Sequence, residues 1–133
     1  MARNKQEPLM IGQRTESVAL GDVEYALGSH VSNDIKIVAA SWIPENAMAS
    51  TTANSVSFHL INEGSAGTLN TTVASWSIGT ATAQTLTAFK RYDLTVVGTC
   101  STVTEDSVLQ WKALTVGAGV QWYGRYQYEY IIL

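Results

Sequence analysis

The chain has 133 residues, 46% hydrophobic and 14% charged, with a formal net charge of −3. This length suits one domain large enough to fold without a disulfide or metal staple, and an average soluble domain carries more charge, about a quarter of its residues. With no like-charge block beyond Lys90-Arg91, nucleic acid is excluded as the main partner, because phosphate binding needs a basic patch.

Residues 1–17 read as an extended N-terminal arm ahead of a domain over residues 18–133. The arm carries Arg3, Lys5 and Arg14 against Glu7 and Glu16, followed by the apolar cluster Leu9, Met10 and Ile11. A frayed terminus is the plain alternative. A purely disordered tail has little use for large apolar side chains, however, so the arm is expected to reach a neighbouring subunit. Its contact residues are then Arg3, Lys5, Leu9, Met10 and Ile11. The start lacks the apolar core of a secretory signal, which makes synthesis in a cytoplasm the expectation.

From Val18 the pattern has period two. Val23, Tyr25 and Leu27 alternate with Asp22, Glu24 and Ala26, and Ile35, Ile37 and Ala39 alternate around Lys36. Residues 44–54 are expected to form a short helix or a long loop. Val56, Phe58 and Leu60 then alternate with Ser55, Ser57 and His59, and Ala74, Trp76 and Ile78 with Val73, Ser75 and Ser77. Leu94 and Val96 flank Thr95, and Leu109 and Trp111 flank Gln110. Each run offers one apolar face, as a half-buried antiparallel strand does. Turn residues separate the runs at Asn33-Asp34, Asn62–Gly67, Asn70, Gly98 and Gly117–Gly119. The expected fold is all-β: an antiparallel β-sandwich, jelly-roll-like, with the arm attached.

The last run is long. From Val120 one face reads Val120, Trp122, Gly124, Tyr126, Tyr128, Tyr130 and Ile132. Such a strand exceeds the usual five or six residues, and a bend or bulge is expected at its lone glycine, Gly124. The tyrosines either line the core or meet a neighbouring subunit, uses that large rings with polar tips serve equally well. Tyr126, Tyr128 and Tyr130 are taken as contact residues.

No chemistry-bearing constellation emerges. His30 and His59 have no Cys, His or carboxylate at a metal-ligand spacing. No serine sits in a Gly-x-Ser-x-Gly elbow, and the glycines form no phosphate loop. Glu105-Asp106 reads as a solvated turn rather than a calcium loop. Cys100, the sole cysteine, excludes an internal disulfide and reads as a small core side chain. No segment approaches the roughly 20 apolar residues of a bilayer span. The expectation is a non-enzymatic protein without cofactor, metal or membrane partner. Trp42, Trp76, Trp111 and Trp122 suggest core packing first and a sugar-stacking platform second.

Three stretches go beyond generic β pattern: Trp42-Ile43-Pro44-Glu45-Asn46-Ala47, then residues 54–64 ending Leu60-Ile61-Asn62-Glu63-Gly64, then Gly67-Thr68-Leu69-Asn70-Thr71-Thr72-Val73-Ala74. Together with a strand at Leu86–Val97, an acidic turn at Glu105–Val108 and Gly117–Val120, they resemble the head decoration, or capsid cement, proteins of tailed bacteriophages. The resemblance covers roughly Val23 to Tyr130. It departs from the family where Glu-Asp-Ser-Val stands in place of a Gly-Asp-Val entry, and in its longer aromatic C-terminus. The resemblance implies a β-sandwich on the outer capsid surface of a virion, often a homotrimer, whose partner is the major capsid protein lattice. A carbohydrate- or receptor-binding module of a head fibre or tail is the alternative it leaves open.

Overall fold

The computed structural model describes residues 9–16, 23–51, 55–78, 85–116 and 123–133. Among these, β1 (Leu9–Glu16), β2 (Val23–His30), β3 (Ile35–Pro44) and β4 (Met48–Ala49) come first. Next are β5 (Ser55–Asn62), β6 (Thr71–Ile78), β7 (Thr85–Leu86), β8 (Tyr92–Asp93) and β9 (Thr95–Val96). A 3₁₀ turn at Gly98–Cys100 precedes β10 (Thr102–Val103), β11 (Val108–Val116) and β12 (Tyr123–Ile132).

One sheet runs β1-β12-β3-β10, with β8 also on β3, and the other runs β2-β11-β5-β6-β9. All neighbours are antiparallel. With β8 and β10 counted as two pieces of one strand, and the two-residue strands β4, β7 and β9 set aside, eight principal strands remain. In chain order the sheets then read first-eighth-third-sixth and second-seventh-fourth-fifth. That order is the double Greek key of a jelly roll. The chain is an all-β sandwich.

The alternation is kept inward by bulges. On β3, Ala39 pairs with Glu129 and Ile37 with Tyr130, which leaves Val38 as an extra residue. Below it Ile35 and Ile37 face the core; above it Ala40 and Trp42 do. A strict period of two would have placed Ala39 inside, as the sequence reading had it, and turned Trp42 outward. On β6 the same device leaves Val73 extra, so that Val73 and Ala74 are both fully buried.

The expected single strand over Leu86–Val97 is instead three short pieces. β8 pairs with β3, and Leu94 donates its N–H to Ala40 O at 2.9 Å. The chain then crosses to the second sheet, where β9 pairs with β6 and Val97 N–H reaches Val73 O at 2.8 Å. It returns when Ile37 N–H donates to Ser101 O at 2.8 Å, and β10 resumes the path along β3. This excursion closes one side of the sandwich and protects what would otherwise be two free edges. Among residues 44–54, the described part holds no helix; β4 pairs with β7, seating Met48 and Leu86, each 2% exposed, beside the core.

Gly124 marks a close approach rather than a bulge. It pairs in register with Pro44, and the irregularity lies farther along, between Glu129 and Tyr130. A Cβ at Gly124 would collide with Ile43 O, and would lie 2.7 Å from the Trp42 ring and 3.0 Å from Pro44 Cα. Backbone cannot yield as a flexible side chain does. Gly124→Ala is therefore expected to lower stability by about 1–3 kcal/mol, measured by thermal or urea unfolding. An unchanged midpoint would show that β12 does not pass this close to Trp42.

Candidate functional site

The interior is organised by stacked rings. Tyr126 lies on Trp111 with centroids 4.6 Å apart and planes at 6°. Trp111 stacks on Trp42 at 5.9 Å, and Trp42 on Phe58 at 4.6 Å. Phe58 continues to its cross-strand partner Trp76 at 6.3 Å, and Trp76 to Tyr92 at 5.7 Å. Lys90 Nζ sits 5.5 Å from the centroid of the Tyr92 ring, ending the column on a cation at the surface. The six rings come from both sheets, and each stacked pair is worth about 0.5–1.5 kcal/mol beyond its buried area. The indole Nε1 atoms of Trp42 and Trp111 are buried without a hydrogen-bond partner. Leaving such a donor unpaired costs about 1–3 kcal/mol, which the stacking and burial of the same rings offset.

The residues expected to make contacts fall into three groups. Arg3 and Lys5 lie outside the described residues. Leu9, Met10 and Ile11 are in β1, in register with Tyr130, Glu129 and Tyr128 of the same chain. The two segments expected to meet neighbours thus pair with each other. Tyr126 and Tyr128 are 4% and 3% exposed and belong to the core, while Tyr130 is half-buried against it. Burial pushes the Tyr126 phenol up to about 12, with the adjacent Tyr128 adding to the effect.

The large apolar side chains that are exposed lie elsewhere. Phe89, Leu133 and Leu69 are 78%, 63% and 56% exposed. None belongs to an alternating run, which is why strand periodicity passed them over. The one available signal was the position of Phe89 beside Lys90-Arg91. As sugar platforms, Trp42 and Trp111 offer nothing, being 0% and 1% exposed, and Trp122 lies outside the described residues.

On the outer face of the second sheet, His59 Nε2 and Ser57 Oγ are 2.9 Å apart, a pair that the sequence reading did not single out. The cross-strand partners of His59 are Ser75 and Lys112. Partial burial, and then the Lys112 charge, hold the imidazole below its usual 6.5. A Ser–His pair that activates a nucleophile needs the opposite, an acid that stabilises the imidazolium. Lys112 opposes that step. Among the described residues no cluster of three or more His, Cys, Asp or Glu could hold a metal ion. No described helix is long and apolar enough to cross a membrane.

Neither a protein-family model nor a curated protein matches the chain. Among solved structures it aligns with a chain from a crystal structure of the T13 IBDV viral particle, described as revealing a missing link in icosahedral virus evolution. Identity is 13% and the TM-score 0.39, over 96% of this chain and 32% of that one. The chain spans about a third of that neighbour's length. The jelly-roll assignment stands on the strand order itself.

The His59 environment has a measurable consequence. An imidazole with a depressed folded-state pKa takes up its proton more readily in the unfolded chain, so its contribution to stability is present above pH 6.5 and is lost as pH falls through the folded value. Stability should fall over that range, and His59→Gln should flatten the fall. In an NMR titration His59 should give a midpoint below 6.5 that rises in Lys112→Met; a wild-type midpoint at or above 6.5 contradicts the assignment.

Proposed function

We propose that this chain is a non-enzymatic virion structural protein. In this reading it decorates the outer surface of a tailed-phage capsid, where a homo-oligomer, most simply a trimer, bridges neighbouring capsomers of the major capsid protein lattice. Internal pressure must then break these added interfaces before the shell opens. Single contacts can be weak, because repeated engagement along a lattice supplies avidity.

The observation that carries this reading is how the family-like residues are used. In the Asn62–Asn70 hairpin, Asn62 Oδ1 accepts the Gly64 N–H at 2.8 Å, and Leu69 N–H donates to Glu63 O at 2.9 Å. Gly64, Gly67 and Asn70 all take positive φ, at 70°, 72° and 52°, values that glycine and asparagine tolerate best. Glu63 N–H and Gly64 O also exchange hydrogen bonds with Val108, in the strand after the acidic turn. Two of the three stretches that resemble decoration proteins, the strands of this hairpin, are therefore joined to the segment after the acidic turn in one connected unit. Jelly rolls also serve as lectin and enzyme-family folds, so fold supports the reading by analogy and the motif unit adds to it.

Purified chain added to heads that lack it should bind saturably, in many copies per head, and raise the temperature at which the shell opens. Because β1 belongs to the first sheet, the arm test removes residues 1–8 alone. That variant should unfold at the wild-type temperature yet bind heads more weakly. Failure of the full chain to bind heads, or a virion reconstruction placing it on a tail or fibre, overturns the proposal.

A further inference from the structure

An exposed aromatic ring, Phe89, stands outside the column and is held in place there. Phe89 is 78% exposed and has φ +62°, a backbone region where a bulky residue is an outlier that its surroundings must enforce. Those surroundings are visible. Phe89 N–H donates to Pro44 O at 2.7 Å, and Thr87 N–H donates to Tyr92 Oη at 2.8 Å. Beside the ring stand Lys90 and Arg91, both exposed. Arg91 is engaged by Asp93 at 3.0 Å, so Lys90 supplies the net positive charge of this knob.

At the opposite end of β3 lies a hollow of about 140 Å³, walled by Val31, Ile35, Tyr128, Tyr130 and Ile132, with the polar Ser32 and Asn33 completing its lining. An apolar cavity of about 150 Å³ is known to accommodate a benzene ring. Acidic residues stand beside this hollow. Asp34 follows the lining residue Asn33 and precedes the lining residue Ile35. Glu105 N–H donates to Asp34 Oδ1 at 2.7 Å, and Asp106 N–H to O of the lining residue Val31 at 2.8 Å. These bonds hold the acidic turn next to the hollow's lining, and Asp34, Glu105 and Asp106 are all exposed. The knob therefore has both the size and the sign that the hollow takes.

We propose that Phe89 of one copy inserts into this hollow on a second copy, with Lys90 against the acidic residues beside it. Knob and hollow stand at opposite ends of the ten-residue β3, roughly 30 Å apart at strand rise. One copy cannot satisfy its own pair, and the contact is head-to-tail. The contact deepens the homo-oligomer part of the proposed function, but it is tested without capsids. Its failure would leave capsid binding standing, and failure of capsid binding would leave it standing in turn.

Sedimentation of the purified full chain over a concentration series provides the test. Wild type should self-associate reversibly, and less so at high salt. Phe89→Gly suits the positive φ, so it should unfold at or above the wild-type temperature while associating at least about tenfold more weakly. Asn33→Trp, an exposed change at the mouth of the hollow, should block the other half of the contact. Each variant alone should self-associate at least about tenfold more weakly than wild type, whereas an equimolar mixture should form heterodimers, each pairing one intact knob with one intact hollow. A wild-type chain that stays monomeric to about 1 mM, Phe89→Gly associating like wild type, or a mixture that fails to pair overturns the proposal.

Discussion

The ring column from Tyr126 to Tyr92 is the interaction on which the sandwich depends. It takes rings from β12, β11, β3, β5, β6 and β8, so one nearly parallel stack fixes the two sheets against each other. Aliphatic cores tolerate sliding and repacking. Stacked planes at fixed spacing tolerate less, which explains why other features serve the column. The Val38 bulge turns Trp42 inward, and Gly124 leaves room for the Trp42 ring. The pairing of β8 with β3 sets Tyr92 at the end of the stack, against Trp76.

This arrangement also separates the interior from what a partner can reach. Among the described residues the tryptophans are taken up by packing, and the outer face of the second sheet carries Ser57, Ser75, Ser77, His59 and Lys112. The most exposed large apolar side chains lie outside the strands, Phe89 and Leu69 in connecting segments and Leu133 after β12. A scaffold of this kind positions loops rigidly while leaving their composition open, as binding domains often require.

How much of this was legible in the sequence follows from the physics of each element. Strands such as β5 and β11 were readable because burial on one face imposes a period of two on residue choice. The bulges were not, since one inserted residue leaves no mark on composition; Ala39 looked as suitable for the core as Ala40. The crossing at Leu94 was hidden because β8 and β9 are two residues each, too short to alternate. Leu9, Met10 and Ile11 were read as contacts to a neighbouring subunit, whereas the structure places them in β1, paired with β12. Their register with the C-terminal tyrosines is a contact across the whole chain, which local pattern cannot carry. Phe89 carried no strand-pattern signal for the converse reason, since what sets it apart is exposure and backbone conformation.

The pairing of β1 with β12 sets an order of assembly. Leu9 meets Tyr130, so this ladder joins opposite ends of the chain, whereas β5 and β6 are joined by a hairpin of eight residues, 63–70. Closing a long loop costs entropy before any contact repays it, and non-local pairings slow folding accordingly. On the ribosome the central hairpin can form early, but the first sheet lacks its middle strand until β12 emerges. β1 therefore waits with its partner unmade until then, and the sandwich becomes complete only once residues 123–132 are free to pair.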